Sequence, residues 1–420
     1  MVLTPTRPRL EAAISALQVV LGLTRPADAA LKLFFRDHHE LGQHDRGFVA
    51  ELVFCVLRNL RLLEHEAGTP TPRRLALLAL ATQFGFSVRE LSPLISRSEE
   101  TLLATSRATD LEQLPPQVRF SVPDWLYDGL SRQMTATEVA SLARALLQSA
   151  PLDLRVNTML ADRKSVLSQF EAEGIAASVT PFSPVGVRLA EKSALQRHAL
   201  FVAGKVEVQD EGSQLLAYLL APRRREMVVD FCAGAGGKTL ALGAMMHSEG
   251  RVYAFDTAEK RLANLSPRLR RSGLSNVHPQ LIDSETDPRV RRLTGKIDRV
   301  LVDAPCSGLG TLRRNPDLKW RQNPQAITEM VEKQRSILAA ASRLVKPGGR
   351  LIYATCSLLE VENDAVVDAF LSAHPEFSSL SSSEALRAQR IELDTGERFR
   401  VFPHLHGMDG FFAALMERRK

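Results

Sequence analysis

Residues 228–239 read Val228-Val229-Asp230-Phe231-Cys232-Ala233-Gly234-Ala235-Gly236-Gly237-Lys238-Thr239: a short apolar run, a glycine-rich turn and the start of a helix. Glycines suit such a turn because it must be tight and its backbone must approach a ligand with no Cβ in the way. A phosphate-cradling P-loop needs a glycine five residues before its Gly-Lys-Thr, and Cys232 occupies that place. A nucleoside-type cofactor instead needs an acid for its ribose at the end of the following strand. Tyr253-Ala254-Phe255-Asp256 supplies one, so the spacing favours the nucleoside reading.

Outward from this motif, strand and helix alternate. Strands are expected at 227–231, 251–256, 277–283, 299–303 and 350–355, and helices at 238–247, 258–271 and 325–344. This succession predicts an α/β fold with a doubly wound, largely parallel sheet whose ligands sit at the carboxyl ends of the strands. Pro267 predicts a break or kink in the 258–271 helix. Upstream, 151–208 alternates short strands with one helix, a small α/β unit. Residues 9–150 read as helices, with Phe48, Leu52, Val53, Val56, Leu57, Leu60 and Leu63 forming one stripe behind Asp45 as N-cap. Cys55 on that stripe reads as a core residue. The expected organisation is thus 1–150, 151–208 and 209–420.

The 420 residues, 45% hydrophobic and 24% charged, are inconsistent with disorder. The longest apolar run, Leu75 to Ala81, is too short to span a bilayer, and the start MVLTPTRPRL lacks a signal peptide's apolar stretch. We therefore expect a cytoplasmic protein with no membrane association. Cys55, Cys232, Cys306 and Cys356 form no C-x-x-C pair, so neither a disulfide framework nor a thiolate metal site is expected. The net charge is +6, and residues 209–420 carry +5 of it while 1–150 carry none. That permits an RNA partner without requiring one.

Two expected strands end in turns that carry cysteine: Val302-Asp303-Ala304-Pro305-Cys306-Ser307-Gly308 and Ala354-Thr355-Cys356-Ser357. A single free cysteine is most often a small buried hydrophobe. Two, each just past a strand's carboxyl end in a polar turn, point to thiol chemistry. Asp283, ending another strand, reads equally as a loop acid or as a partner for an adenine amino group. Lys238 reads equally as a site cation or a solvated helix-start lysine. The stretch Leu312 to Arg321, with Arg313, Arg314, Lys319, Trp320 and Arg321, suits phosphate contacts and stacking on a single-stranded base; the other reading is a solvated loop with Trp320 packed inward.

The segments DFCAGAGGKT, YAFD, VDAPCSGLGTLRRNPDLKW and KPGGRLIYATCS resemble the successive motifs of the RsmB family of RNA (cytosine-5)-methyltransferases, related to the NSUN enzymes. The resemblance runs from Gln209 to the C-terminus, and the family's first motif usually has Pro where this chain has Ala235. DRGFVAELVFCVLRN is similar to the NusB-like helical domain that precedes the catalytic part in bacterial members. The resemblance implies a Rossmann-like class I methyltransferase, most simply a monomer, acting on a cytosine of 16S rRNA with S-adenosylmethionine as cofactor. It implies Cys356 as the nucleophile adding to carbon 6, Cys306 in adduct release, Asp303 at the cytosine and the methionine end of the cofactor, and Lys238 nearby. The cofactor would lie on Cys232, Ala233, Gly234, Ala235, Gly236, Gly237 and Lys238, with Asp256 on the ribose, Asp283 at the adenine and Asp303 toward the amino acid. Methylation of tRNA or another rRNA site, or RNA binding without turnover as an assembly factor, are the alternative readings.

Overall fold

The computed structural model describes residues 4–107, 109–191 and 195–420. Two compact units emerge: Met1–Ser149 with Thr311–Pro324, and Ala150–Gly310 with Gln325–Lys420.

The first unit is helical. Its core joins residues from helices Arg7–Val20, Ala27–Asp37, Gln43–Arg58, Leu60–Ala67 and Pro72–Leu78. The apolar stripe expected from Phe48 to Leu63 is present, but Asn59 divides it into two helices. Asp45 is not the N-cap: Gly42 is, and Asp45 sits at N3, its carboxylate accepting from the Gly42 N–H at 3.2 Å and from Arg9 Nε at 2.7 Å. Cys55 is buried, and burial pushes its thiol up to about 12.

The segment 311–324 folds with these helices, which decides between the two readings of the basic stretch. Trp320 packs against the helical core and its indole N–H donates to Leu57 O at 2.7 Å. Lys319 Nζ donates to Arg58 O at 2.7 Å, Arg58 Nη2 to Arg313 O at 3.1 Å, and Asp317 Oδ2 accepts from the Ala27 N–H at 3.2 Å. Lys319, Arg313 and Asp317 are buried. The stacking reading of the indole is therefore corrected: Trp320 packs inward, as the other reading had it, but the stretch is not simply solvated, since two of its four cations, Arg313 and Lys319, are buried.

The second unit holds two sheets. Strands β1 (Leu152–Val156), β2 (Ala177–Val179), β3 (Gly186–Leu189) and β4 (Val206–Val208) form an antiparallel sheet in the order β2-β3-β1-β4. The larger sheet contains β5 (Met227–Asp230), β6 (Arg251–Asp256), β7 (Val277–Leu281), β8 (Ile297–Asp303), β9 (Val345–Thr355), β10 (Phe377–Leu380), β11 (Phe399–Val401) and β12 (Phe411–Arg418). Its order is β10-β12-β9-β8-β5-β6-β7, with β11 paired to β12. Strands β5 to β9 are mutually parallel, so the sheet is doubly wound as expected, and its order reverses between β5 and β8. Ligand sites in such sheets lie at the carboxyl ends around this reversal. The β10–β12 group was not expected. β12 runs antiparallel to β9, pairing Phe412 with Thr355, and Phe411 to Met416 are all buried; a run apolar on both faces lacks the alternation that marks a strand.

Helix Glu259–Ser272 continues through Pro267, so of the expected break or kink the break is absent. It is tied on both sides of the proline: Leu265 is fully buried, while Arg268 and Arg271 both pair with Glu207 at 2.9 and 2.6 Å. No helix among the described residues is long and apolar enough to cross a membrane.

Candidate active site

The carboxyl ends of β5, β6, β8 and β9 enclose a cavity of about 570 Å³, within the range of small-molecule sites. Cys232, Ala233, Gly234, Ala235, Gly237, Lys238, Asp256, Asp303, Cys306 and Cys356 all line it.

The glycine turn is built as its sequence requires. Gly234 and Gly236 have φ of +56° and +81°, a region side chains avoid. Gly236, alone among the turn residues expected to hold the cofactor, is not in the cavity lining; it is buried, and a Cβ there would stand 2.1 Å from Leu265 Cδ1. Two arginines hold the turn's carbonyls: Arg155, which sequence reading missed, and Arg268, legible in the sequence only as one of a small basic cluster with Arg270 and Arg271. Arg268 Nη1 donates to Ala235 O at 2.7 Å, and Arg155, from β1, donates to Gly237 O and to Gln209 Oε1. With Ala rather than Pro at 235, the turn is fixed here by the Arg268 bond rather than by a ring. No local sequence signal ties either arginine to the turn, because both come from other elements.

Asp256 ends β6 with its carboxylate toward the turn: Oδ2 accepts from the Gly234 N–H at 2.8 Å and Oδ1 from the Ala258 N–H at 2.7 Å. Each oxygen retains a lone pair for a hydroxyl. Asp283 is exposed and outside the cavity lining, its N–H bonded to Asp287 Oδ2 at 3.0 Å; the wall there is Ile282 and Glu285. Cofactor fit can be judged from these groups. A glycine turn with no side chain in the way, and two acids lining the cavity, Asp256 and Asp303, suit S-adenosylmethionine in shape and charge.

Lys238 is a site cation, not a solvated one. Its Nζ donates to Asp303 Oδ2 at 2.7 Å and lies 5.6 Å above the Phe411 ring. Burial opposes its charge, but Asp303 outweighs burial, and Cys356 and Asp230 add to that, so its pKa is raised. Beneath, fully buried Asp230 accepts from Thr239 Oγ1 at 2.7 Å; burial chiefly, with Asp303 and Asp256 adding, pushes its carboxyl up to about 7.

Cys306 and Cys356, fifty positions apart, bring their sulfurs to 3.4 Å. The Cys356 contact and burial raise the Cys306 pKa well above the ordinary thiol range, so Cys306 remains a thiol near neutrality, facing Cys356. Burial likewise holds Cys232 as a thiol. Behind the pair lies a further residue that sequence reading missed, Glu362, fully buried and bonded to both cysteine turns. Its local signal is weak: Leu358-Leu359-Glu360-Val361-Glu362 holds two acids, and nothing in their spacing marks the second as the buried one.

Comparison with known proteins gives this arrangement a context. The family model for 16S rRNA methyltransferase RsmB/F matches residues 217–417, and the RsmF/B-like ferredoxin-like domain matches residues 122–196. The probable ribosomal RNA small subunit methyltransferase B of Synechocystis sp. is 31% identical over 90% of this chain and 93% of its own. The Bacillus subtilis protein of the same name is 34% identical over 71% of this chain and 67% of its own. The crystal structure of PH0851 superposes with a TM-score of 0.80 at 26% identity, covering 99% of both chains. With the cavity, its cofactor-fitting turn and near full-length kinship in agreement, the chain belongs to the RsmB/F family of S-adenosylmethionine-dependent rRNA methyltransferases.

Proposed function

We propose that the protein methylates carbon 5 of a cytosine in 16S rRNA through a covalent adduct on Cys356. The observation that carries this reading is the 3.4 Å thiol pair at the edge of the cavity lined by Lys238 and Asp303. Carbon 5 of cytosine is a poor nucleophile, and a thiolate adding to carbon 6 makes it enamine-like. Bound S-adenosylmethionine supplies an electrophilic methyl group on a sulfonium.

In this reading Cys356 forms the sulfur–carbon 6 bond, and the electron pair displaced from the ring double bond makes carbon 5 the nucleophile. In the same reading Asp303 hydrogen-bonds the ring nitrogen or exocyclic amine and favours that redistribution, and Lys238, bonded to it at 2.7 Å, keeps the carboxylate oriented. After transfer, with Cys356 bonded to carbon 6 and no longer holding the Cys306 proton on, Cys306 gives that proton to solvent and takes the carbon 5 proton. The carbon–hydrogen electron pair re-forms the double bond and the carbon–sulfur bond breaks, its electrons leaving with Cys356 as a thiolate. Sulfur suits both ends of the sequence, as nucleophile and as leaving group.

Within this proposal, residues 209–420 carry catalysis, 151–208 connect, and 1–150 engage RNA as a NusB-like domain. The enzyme acts as a monomer in the cytoplasm, without a metal. Incubation with 16S rRNA and labelled S-adenosylmethionine, followed by nucleoside analysis, should yield 5-methylcytidine; label in adenosine or in protein would overturn the chemistry. Bisulfite mapping of RNA from a strain lacking the protein would locate the cytosine, and a site in tRNA or 23S rRNA would replace 16S rRNA as the substrate.

A further inference from the structure

We propose that Glu362 is a positioning residue that sets the separation of the two thiols by bonding the residue that follows each of them. This inference deepens the cytosine reading and rests on it only for the catalytic consequence. Cys306 follows β8 and Cys356 follows β9, and the pair form no covalent link to each other. Glu362 bridges their turns. Its Oε1 accepts from the Ser307 N–H at 2.8 Å, and its Oε2 accepts from Ser307 Oγ at 2.5 Å and from Ser357 Oγ. The two serine hydroxyls stand 3.1 Å apart. Gln334 closes the clamp from the long helix Pro324–Ser342, its Nε2 donating to Glu362 Oε1 at 3.0 Å and to Pro305 O, just before Cys306, at 2.9 Å. Asn363 braces the other turn, accepting from Thr355 Oγ1 at 2.5 Å and donating to Ser357 O at 3.2 Å.

A simple packing role does not account for this choice of residue. Glu362, Ser307, Ser357 and Gln334 are all buried, and apolar side chains would fill the same space without the desolvation cost of a carboxylate. A carboxylate, with two acceptor oxygens, meets the donors that arrive from both turns and from the helix, which no apolar side chain can do. The charge also bears on the pair, since Glu362 is among the groups that hold the Cys306 proton on.

The experiment separates geometry from charge. In Glu362→Gln, the amide can turn its oxygen to the Ser307 N–H and its NH₂ to the serine hydroxyls, which can rotate to accept; Glu362→Ala removes the clamp. Diamide oxidation of the folded protein should join Cys306 to Cys356, read as a 2 Da mass loss and one cross-linked peptide. The alanine variant should cross-link about tenfold slower or worse and lose about 100-fold in kcat, the scale of a ~1 Å misplacement. Its affinity for S-adenosylmethionine should stay within about twofold, because Glu362 does not line the cavity. The glutamine variant should regain cross-linking while Cys306 alkylation by iodoacetamide moves to lower pH. Wild-type cross-linking and turnover in Glu362→Ala, or cofactor affinity lost along with activity, would overturn the proposal. If that variant does not fold, Ser307→Ala/Ser357→Ala carries the same test. Cross-linking that depends on Glu362 in a protein that methylates no cytosine would sink the cytosine reading and leave the clamp standing.

Discussion

Gly310→Ala offers a sharp test of how the Cys356 turn is held. The Gly310 N–H donates to Cys356 O at 2.7 Å, and Gly310 O accepts from the Gly410 N–H at 2.9 Å, so this backbone is wedged between the Cys356 turn and the start of β12. A Cβ on residue 310 would stand 2.1 Å from Gly410 O, 2.7 Å from Gly410 C and 2.8 Å from Cys356 O, all backbone atoms. Reaching ordinary contact requires roughly 1 Å of movement. Gly410 leads into β12, which is held in the sheet between β9 and β10, whereas Cys356 lies in a turn. The turn therefore yields. Overpacking of this kind costs about 1–3 kcal/mol of stability, and a ~1 Å displacement of a reacting group costs about 100-fold in rate. Thermal melting, calorimetric titration with S-adenosylmethionine and steady-state methyl transfer on the same preparation read all three quantities. The expected outcome is a folded protein with near-normal cofactor affinity and kcat down about 100-fold. A folded variant turning over within threefold of wild type would refute the reasoning that this contact places Cys356. Gly410→Ala is the softer control, since its Cβ would meet the movable Leu358 Cδ2 at 2.7 Å.

Other substitutions probe separate parts of the account. Lys238→Met removes the partner of Asp303 and should lower kcat by about 100- to 1,000-fold; combining it with Asp303→Asn should cost little more than the worse single change, which a double-mutant cycle would measure. Asp230→Asn should change the pH dependence of stability. Burial lifts the Asp230 carboxyl from 3.8 to about 7, so the folded state keeps a proton that the unfolded chain releases, and the stabilisation present below the unfolded pKa is lost as pH rises through the folded one. The Tm advantage of the variant over wild type should therefore grow from pH 4 to pH 7 and then level off; a pH-independent difference would contradict it. Trp320→Ala should destabilise the helical unit by about 2–3 kcal/mol, less than a fully buried tryptophan, and leave RNA affinity per folded molecule unchanged. A fall in RNA affinity without a fall in Tm would restore the stacking reading.

What was legible in the sequence was local. Strands β5, β6 and β8 are short apolar runs closed by turn residues, and the glycines at 234 and 236, Asp256, Asp303 and both active-site cysteines fall at strand ends, so their approximate places follow from the order of elements. What escaped depends on contacts between distant positions. β12 inserts beside β9 more than fifty residues downstream in sequence, and its apolar FFAALM carries no alternation. Trp320 is read correctly only once Leu57, over 260 residues earlier, is known to accept its N–H. Glu362 becomes intelligible when Ser307 and Ser357 are seen to meet. The same interleaving complicates a simple truncation. Removing residues 1–150 would strip Lys319 and Trp320 of their acceptors at Arg58 and Leu57, so lost RNA affinity in that deletion would not by itself assign RNA contacts to the helices.

The central claim, that Cys356 is the nucleophile and Cys306 serves release, is tested most directly by trapping the adduct. Cys306→Ala and Cys356→Ala proteins are each incubated with 16S rRNA and S-adenosylmethionine, then resolved under denaturing conditions for protein–RNA conjugates. The account predicts a conjugate with Cys306→Ala, mapping to Cys356 on a methylated cytosine, and none with Cys356→Ala. A conjugate that appears only when Cys356 is replaced would contradict it and reverse the roles of the two thiols.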